Sequence, residues 1–557
     1  MSTEAVRFPR IRRYLSRFSK AGLTGALIFY CLSLTPSLLP RAWILQAMMS
    51  GVTMAIGYAA GTLTGWLLRS LITWSPGQCS PGQWARRAGR WALAAAALVL
   101  IPLFGVAGAE WQHQIRELVG AGQPSEARYV LVVVVSILIS LTLLMTARGI
   151  RSLVRTVERR LGRVMPPRAA GALAVLVVIV TLGFLVTDVL PRGAVWAANS
   201  VFGDIDSGTA AGVTEPLTEL RSGSPASLVR WTTLGRQGRT FVDSGPTKEE
   251  IGKFTGTAAM EPIRIYVGRK SASTIETESE LAVRELERTG AFNRKVVVVA
   301  TTTGTGWLNP NMIDPLEYMY GGDTAVVSIQ YSFFPSWISF LVDKAPAREA
   351  GRDLFDAVYD RWHQMPAGRR PALVVFGESL GSFGGEAAFS GTEDIRDRAS
   401  GVFWVGPTNS NALWSRFTAE REPGSPPWRP VYQGGQTVRF GDSPGDFYPP
   451  APGWDRPRVI YLQNATDPIV WWSWRLAFHR PDWLRGAHPP GVSPAMRWYP
   501  LVTFWQVSAD LALATEVPAG HGHTYGMLQG AGAWASILPP PGWSTERAAE
   551  LAALPAN

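Results

Sequence analysis

Two serines of this 557-residue chain stand in the pattern Gly-x-Ser-x-Gly: Ser379 in VVFGESLGSFGG and Ser443 in GDSPG. The pattern has chemical meaning where a tight strand-to-helix turn exposes the hydroxyl and the next backbone N–H faces the oxyanion that attack creates. Ser379 follows the β-branched run ALVVF and precedes residues 383–388, which can start a helix. Ser443 is followed by Pro444, which has no N–H to donate, and by the Pro-rich run SPGDFYPPAP. Ser379 is therefore the candidate nucleophile, and Ser443 a turn residue.

A nucleophile in that position needs a sheet beneath it. From Ile263 onward, short β-branched runs alternate with helical patterns: strands at 263–267, 295–300 (KVVVVA), 325–330 (AVVSIQ), 372–376 (ALVVF), 402–405 and 458–462, and helices at 278–288 and 345–363. Continuous apolar strands separated by helices indicate a mostly parallel sheet covered on both faces. Sites in such sheets gather beyond the carboxyl ends of the strands, where Ser379 falls. Residues 191–258, rich in Gly, Ser, Thr and Pro, read as a connector.

The first third has a different character. Five apolar runs, at 21–39, 42–68, 91–109, 129–146 and 169–190, approach the roughly 20 residues needed to cross about 30 Å of hydrocarbon. Six Lys and Arg precede the first run, four lie in 69–90 and seven in 147–168, against Arg41, Arg116 and Arg128 in the alternate loops. That asymmetry predicts a cytoplasmic amino terminus and, after five spans, an extracytoplasmic remainder, integral to the plasma membrane. Residues 1–190 hold 20 basic and 6 acidic side chains, so the chain's net +10 is charge beside membrane spans and gives no reason to expect nucleic acid. The expected division is a helical membrane domain at 1–190, a connector at 191–258 and an α/β domain at 259–557. Both cysteines, Cys31 and Cys79, precede the α/β domain, which is expected to fold without disulfides.

On GESLG at 377–381, in its strand, turn and helix setting, residues 263–530 resemble the α/β-hydrolase superfamily. The chain is also similar to an actinobacterial family of membrane proteins that join several spans, with a motif like SLTPSLLPR at 33–41, to an α/β-hydrolase-like domain carrying GESLGS and GHGHTY. The resemblance implies the chain order Ser, acid, His. Asp467, in RVIYLQNATDPIV, follows a late strand, where an Asp-Pro turn or a helix cap would use the same residue. His479 and His488 come only 12 and 21 residues later, whereas His521 and His523 lie in Gly-rich VPAGHGHTYG after the apolar run 511–517. The superfamily's Gly-His-x-aromatic pattern fits Gly522 to Tyr525 and favours His523, with His521 the alternative. Leu380 supplies one oxyanion N–H; the loop TTTGTGWLNP, with Thr302 and Thr303, is expected to supply the other, and Trp307 beside them to touch substrate.

No His-Glu-x-x-His, phosphate loop or dinucleotide fingerprint is present, so neither metal nor cofactor is expected. Between Asp467 and His521 lie 53 residues carrying six tryptophans, including Trp471 and Trp472. This insertion, about 468–505, reads as a cap that meets lipid or a lipid-linked substrate. The expected activity is that of a membrane-anchored serine esterase, lipase or transacylase. It would act through an acyl-enzyme on an ester of a lipid or cell-envelope component. The alternative is a non-catalytic envelope-binding or transport-associated protein.

Overall fold

The computed structural model describes residues 18–72, 83–122, 129–185, 203–334, 339, 344–447 and 453–554. The chain forms two compact units: one of Met1–Leu182 with Ser473–Leu513, the other of Gly183–Trp472 with Ala514–Asn557. The Trp-rich insertion is thus divided differently from the sequence expectation: nearly all of it belongs to the helical unit.

That unit holds α1 (Lys20–Ser33), α2 (Trp43–Ile72), α3 (Gln83–Leu118), α4 (Tyr129–Leu161) and α5 (Pro167–Phe184). Helices α2 to α5 are each long and apolar enough to cross a membrane. The first expected span departs from this: α1 has 14 residues, about 21 Å, and the chain then turns through residues 34–42. Residues 186–190 of the fifth apolar run lie outside the described residues. Helices α1 and α2 pack backbone to backbone: a Cβ on Gly25 would lie 2.1 Å from the Gly57 carbonyl oxygen, and one on Gly57 2.4 Å from that of Gly25. Small residues of this kind let apolar helices associate where no hydrophobic drive separates them from lipid.

The α/β unit is built on a seven-stranded parallel sheet: β1 (Ile263–Val267), β2 (Val296–Thr301), β3 (Thr324–Ile329), β4 (Ala372–Glu378), β5 (Gly401–Val405), β6 (Val438–Gly441) and β7 (Arg458–Leu462), in the order β1-β3-β2-β4-β5-β7-β6. Helices α6 (Ile275–Arg288), α7 (Pro310–Met319), α8 (Ala345–His363), α9 (Leu380–Glu386) and α10 (Met527–Ile537) accompany it. Strands β2 and β3 are buried throughout, as their unbroken apolar runs require. The register pairs Thr301 with Gly377, Glu378 with Val405 and Val405 with Leu462, so β2, β4, β5 and β7 end level with one another.

The edge place beside β7 is taken by β6, which precedes it in the chain, and the apolar run 511–517 opens with a short 3-10 turn, Leu511–Leu513. The connector carries helices at Gly235–Asp243 and Lys248–Thr255, and Arg221 pairs with Arg264 of β1 in a short parallel bridge.

A charge inside a buried strand needs partners. Arg264 of β1 is 1 % exposed and meets Asp314 (2.5 Å) and Glu317 (2.7 Å) of α7. Removing one partner of a buried ionic cluster typically costs about 3–5 kcal/mol, because the remaining charges stay buried and unpaired. Arg264→Met is accordingly expected to lower unfolding stability by about that amount. Chemical denaturation of the purified protein measures it, and a change below about 1 kcal/mol would contradict this role for the cluster.

Candidate active site

Ser379 sits between β4 and α9 with φ 56° and ψ −123°, one of three described non-glycine residues at positive φ. Such a backbone is costly for an L-residue and persists only where the surroundings enforce it. Here they do so on both sides. The Ser379 N–H donates to the Val405 carbonyl (2.9 Å), and the Ser382 hydroxyl donates to the Ser379 carbonyl (2.7 Å). Gly381 lies so close to β2 that a Cβ there would stand 2.2 Å from the Thr301 oxygen and 2.8 Å from that of Thr302. The second glycine of the motif is thus what lets the turn seat against the loop after β2.

That loop is fixed by its carbonyls: Tyr331 OH donates to Thr302 (3.2 Å), Gln330 Nε2 to Thr305 (3.2 Å) and Tyr266 OH to Gly306 (2.8 Å). The Thr303 N–H donates to the Trp307 carbonyl (3.1 Å), so this nominated oxyanion donor is already committed. Among the described residues, the N–H groups of Thr302 and Leu380 take no part in the turn and loop hydrogen bonds of the backbone. Of the three nominated donors, Leu380 and Thr302 are thus the two not committed to a turn or loop bond.

Asp467, fully buried, begins the short helix Pro468–Trp471. One carboxylate oxygen accepts the Ile469 N–H (2.8 Å); the other accepts from His523 Nδ1 (2.6 Å) and Tyr525 OH (2.7 Å). The helix-cap role and the histidine-partner role therefore fall on the same side chain. The two loops are stitched together: Asn464 Nδ2 donates to the carbonyls of Gly522 (3.0 Å) and Thr524 (3.2 Å), and the Gly522 N–H to Thr466 Oγ1 (2.8 Å). With Nδ1–H directed at Asp467, Nε2 of His523 is left as the proton acceptor. Burial disfavours its cation, but the charge and hydrogen bond of Asp467 outweigh this and hold His523 above the usual imidazole range.

Among the described residues Ser379 and His523 form no direct hydrogen bond. They meet through the end of β5. Ser379 bonds Val405, and a Cβ on the next residue, Gly406, would lie 2.4 Å from His523 Cε1. His521, half-buried, bridges to Thr524, and burial lowers its basicity.

Trp471 and Trp472 are buried, with Trp471 donating to the Ala465 carbonyl (2.8 Å) and packing edge-on to Trp414. Trp307 lines a cleft of about 20 Å³ with Phe241, Arg264 and Leu308, whose lining includes none of Ser379, Asp467 and His523. Ser443 caps a 3-10 turn, its hydroxyl bonded to Asp446 (3.1 Å).

Sequence reasoning missed Glu378. Buried next to the nucleophile, it accepts only a 3.3 Å bond from Asn309 Nδ2, and its other oxygen has no partner among the described residues. Burial pushes its carboxyl up to about 7, against the pull of His523 and Asn309. Its place beside the serine was visible in GESLG, but its isolation from hydrogen-bond donors was not.

Two family models match the chain: one described as an alpha/beta-hydrolase family, over residues 263–551, and one described as the amino-terminal region of that family, over residues 34–246. No curated protein and no solved structure matches it.

If neutral His523 is the working base, activity rises with pH through its elevated pKa. Replacing Asp467 with Asn removes the charge that raises it. The acid limb of the pH–rate profile is expected to lie above 6.5 in the native protein and to move down in Asp467→Asn, with a rate loss of roughly 10³–10⁴-fold. An acid limb unmoved by that substitution would contradict the pairing.

Proposed function

Since the chain belongs to the α/β-hydrolase family, we propose that its α/β unit is a serine hydrolase or acyltransferase. It acts through an acyl-enzyme on an ester of a membrane lipid or lipid-linked envelope component at the outer face of the plasma membrane. The observation that carries this reading is the buried Asp467–His523 pair at 2.6 Å, whose loops abut the strained Ser379 turn through Val405 and Gly406.

The steps derive from the groups present. His523 Nε2 takes the Ser379 proton as Oγ attacks the ester carbonyl carbon, and Asp467 stabilises the imidazolium. The carbonyl electron pair moves onto oxygen, which receives the N–H groups of Leu380 and Thr302. Collapse expels the alcohol, protonated by His523, and leaves the acyl group on Ser379. Water or a second hydroxyl then attacks, with His523 again as base. Water at the carbonyl gives hydrolysis. A held lipid or sugar hydroxyl gives transfer, because orientation corresponds to effective molarities far above that of water.

The side of the membrane is supported by parity. If α2 to α5 each cross, residue 186 onward lies on the side of the turn at 34–42, whichever way α1 runs. The Arg41 N–H donates to Gln112 Oε1 (2.7 Å), which ties that turn to the carboxyl end of α3, as the same alternation requires. The basic segments 69–90 and 147–168 then share the other side, the cytoplasmic one. Trp474 and Phe478, 68 % and 69 % exposed on the segment 473–513 of the helical unit, suit contact with lipid.

A reporter fused after Asn557 is expected to be active only outside the cytoplasm, and one inserted near Arg160 only inside. A cytoplasmic carboxyl terminus would remove the envelope substrate from consideration. For the chemistry, a fluorophosphonate probe is expected to label the native protein and Ser443→Ala but not Ser379→Ala. His523→Ala should lose roughly 10³-fold or more in turnover while His521→Ala keeps most of it. A native chain that resists the probe would favour the envelope-binding alternative. Hydrolysis and transfer separate when protein in lipid bilayers receives a labelled acyl donor with hydroxyl acceptors: Ser379-dependent free acid alone would exclude transfer.

A further inference from the structure

The segment Ser473–Leu513 leaves the α/β unit six residues after Asp467, and the chain returns to it at Ala514, nine residues before His523. The acid and the base of the proposed triad are thus the two ends of one excursion into the helical unit. At its far end stands the helix Val502–Asp510, which packs against α1 and α2. Asp510 is fully buried, and its carboxylate accepts from Ser37 Oγ (2.9 Å), the Leu38 N–H (3.0 Å) and Arg41 Nε (3.0 Å). Arg41 passes the network on to Gln46 (2.8 Å), and Gln46 to Ser50 (2.8 Å). One turn earlier, Gln506 Nε2 donates to the Thr35 carbonyl (2.9 Å). The sequence motif SLTPSLLPR, buried throughout at 33–41, is the receptor for this helix.

Apolar residues would hold two surfaces together as well as a buried ion pair does. What an ion pair with two further hydrogen bonds on its carboxylate adds is registry, since a slip by one residue strands a charge. Registry matters because the chain runs directly from the clamp to a contact with the histidine. Four residues after Asp510, the Ala514 carbonyl accepts the His523 N–H at 2.6 Å. We propose that the Arg41–Asp510 clamp is a positioning device for the active site. By fixing the end of the excursion, it sets Ala514, and through Ala514 the placement of His523 against Asp467. The helical unit is then a working part of the enzyme and not only its anchor. The proposal rests on the triad reading.

The test uses the full-length protein in detergent. Asp510→Asn keeps the shape of the side chain and removes its charge. Gln506→Leu loosens the same clamp without leaving a charge buried, so one variant stays informative if the other does not fold. Labelling rate by the fluorophosphonate is measured per folded, monodisperse molecule, with KM and kcat for a short soluble ester. Expected are losses of about 10–100-fold in labelling rate and kcat for Asp510→Asn and about 3-fold or more for Gln506→Leu, at unchanged KM, since small misplacements of a catalytic group cost rates of this order. The acid limb of the pH profile should also shift as the His523–Asp467 bond loosens, and limited proteolysis should open within 473–513. A purely structural clamp would lower the folded fraction and leave rate per folded molecule, KM and pH profile untouched, which would overturn the proposal. Labelling of the native chain that survives Ser379→Ala would instead overturn the triad reading, while the proteolysis still reports whether the clamp holds the segment.

Discussion

The turn at Ser379 sets the terms for the rest of the α/β unit. A serine held at φ 56° stays there only if both its backbone groups are bound, and the partners come from different elements: Val405 of β5 and Ser382 of α9. The bond to Val405 fixes the nucleophile relative to β5, whose next residue, Gly406, is the floor against which the His523 ring rests. The approach of Gly381 to Thr301 and Thr302 fixes it relative to the oxyanion loop. One strained residue thereby indexes three of the four strand ends that carry the site, and the level endings of β2, β4, β5 and β7 make this possible.

The buried carboxyls around that turn differ in their hydrogen bonding. Asp467 accepts three bonds, from His523, Tyr525 and Ile469. Glu378, equally buried, has one long bond, and burial pushes it up to about 7. Glu386 in α9 is also pushed up to about 7 by burial, although Asn411, Tyr461 and the Leu413 N–H bind it. Both raised values mean that the folded state keeps protons which the unfolded chain releases above its ordinary glutamate value. Their contribution to stability is therefore complete below that value and is lost as pH rises through about 7. The same rise in pH converts His523 to the neutral form that the proposed mechanism requires. Stability and activity thus pull in opposite directions near neutrality, a cost associated with burying carboxyls beside a base.

Much of this was legible because it rests on local pattern. Six of the seven strands, the α8 boundaries at 345 and 363, and the turn setting of Ser379 derive from β-branched runs, helical periodicity and glycine spacing. The pairing of Asp467 with a histidine of the Gly-rich loop was anticipated from a strand, a Pro-bearing turn and that loop, which left His521 and His523 as the choices. The rest was hidden because it depends on distant partners. Strand β6 is four residues, VRFG, with a charge inside it, and only pairing with β7 makes it a strand. Trp471 and Trp472 carry the same composition whether they line a groove or fill a core. Thr303 looks as suitable a donor as Thr302 until the Trp307 carbonyl is seen to occupy its N–H. No local signal marks Asp510, in an ordinary helical stretch, as the partner of an arginine more than 460 residues earlier.

The membrane helices enter this network through the smallness of their contact residues. Gly25 against Gly57, and Gly61 against the Ala21 carbonyl, bring α1 and α2 to backbone contact, and the approach continues to Ser33 and Ser50, whose hydroxyls bond at 2.7 Å. The Ser50 hydroxyl also accepts from Gln46, which orients the guanidinium of Arg41, which in turn meets Asp510. A single helix could tether an enzyme to lipid, but it has no second backbone to close on and so cannot form the enclosed turn at 33–41. Two helices packed through glycine are the least that encloses that turn, and α3 adds the Gln112 oxygen that holds the Arg41 backbone. The joint presence of α1, α2 and α3 around this turn follows from what must be buried: an ion pair that belongs half to the turn between α1 and α2 and half to the segment between Asp467 and His523.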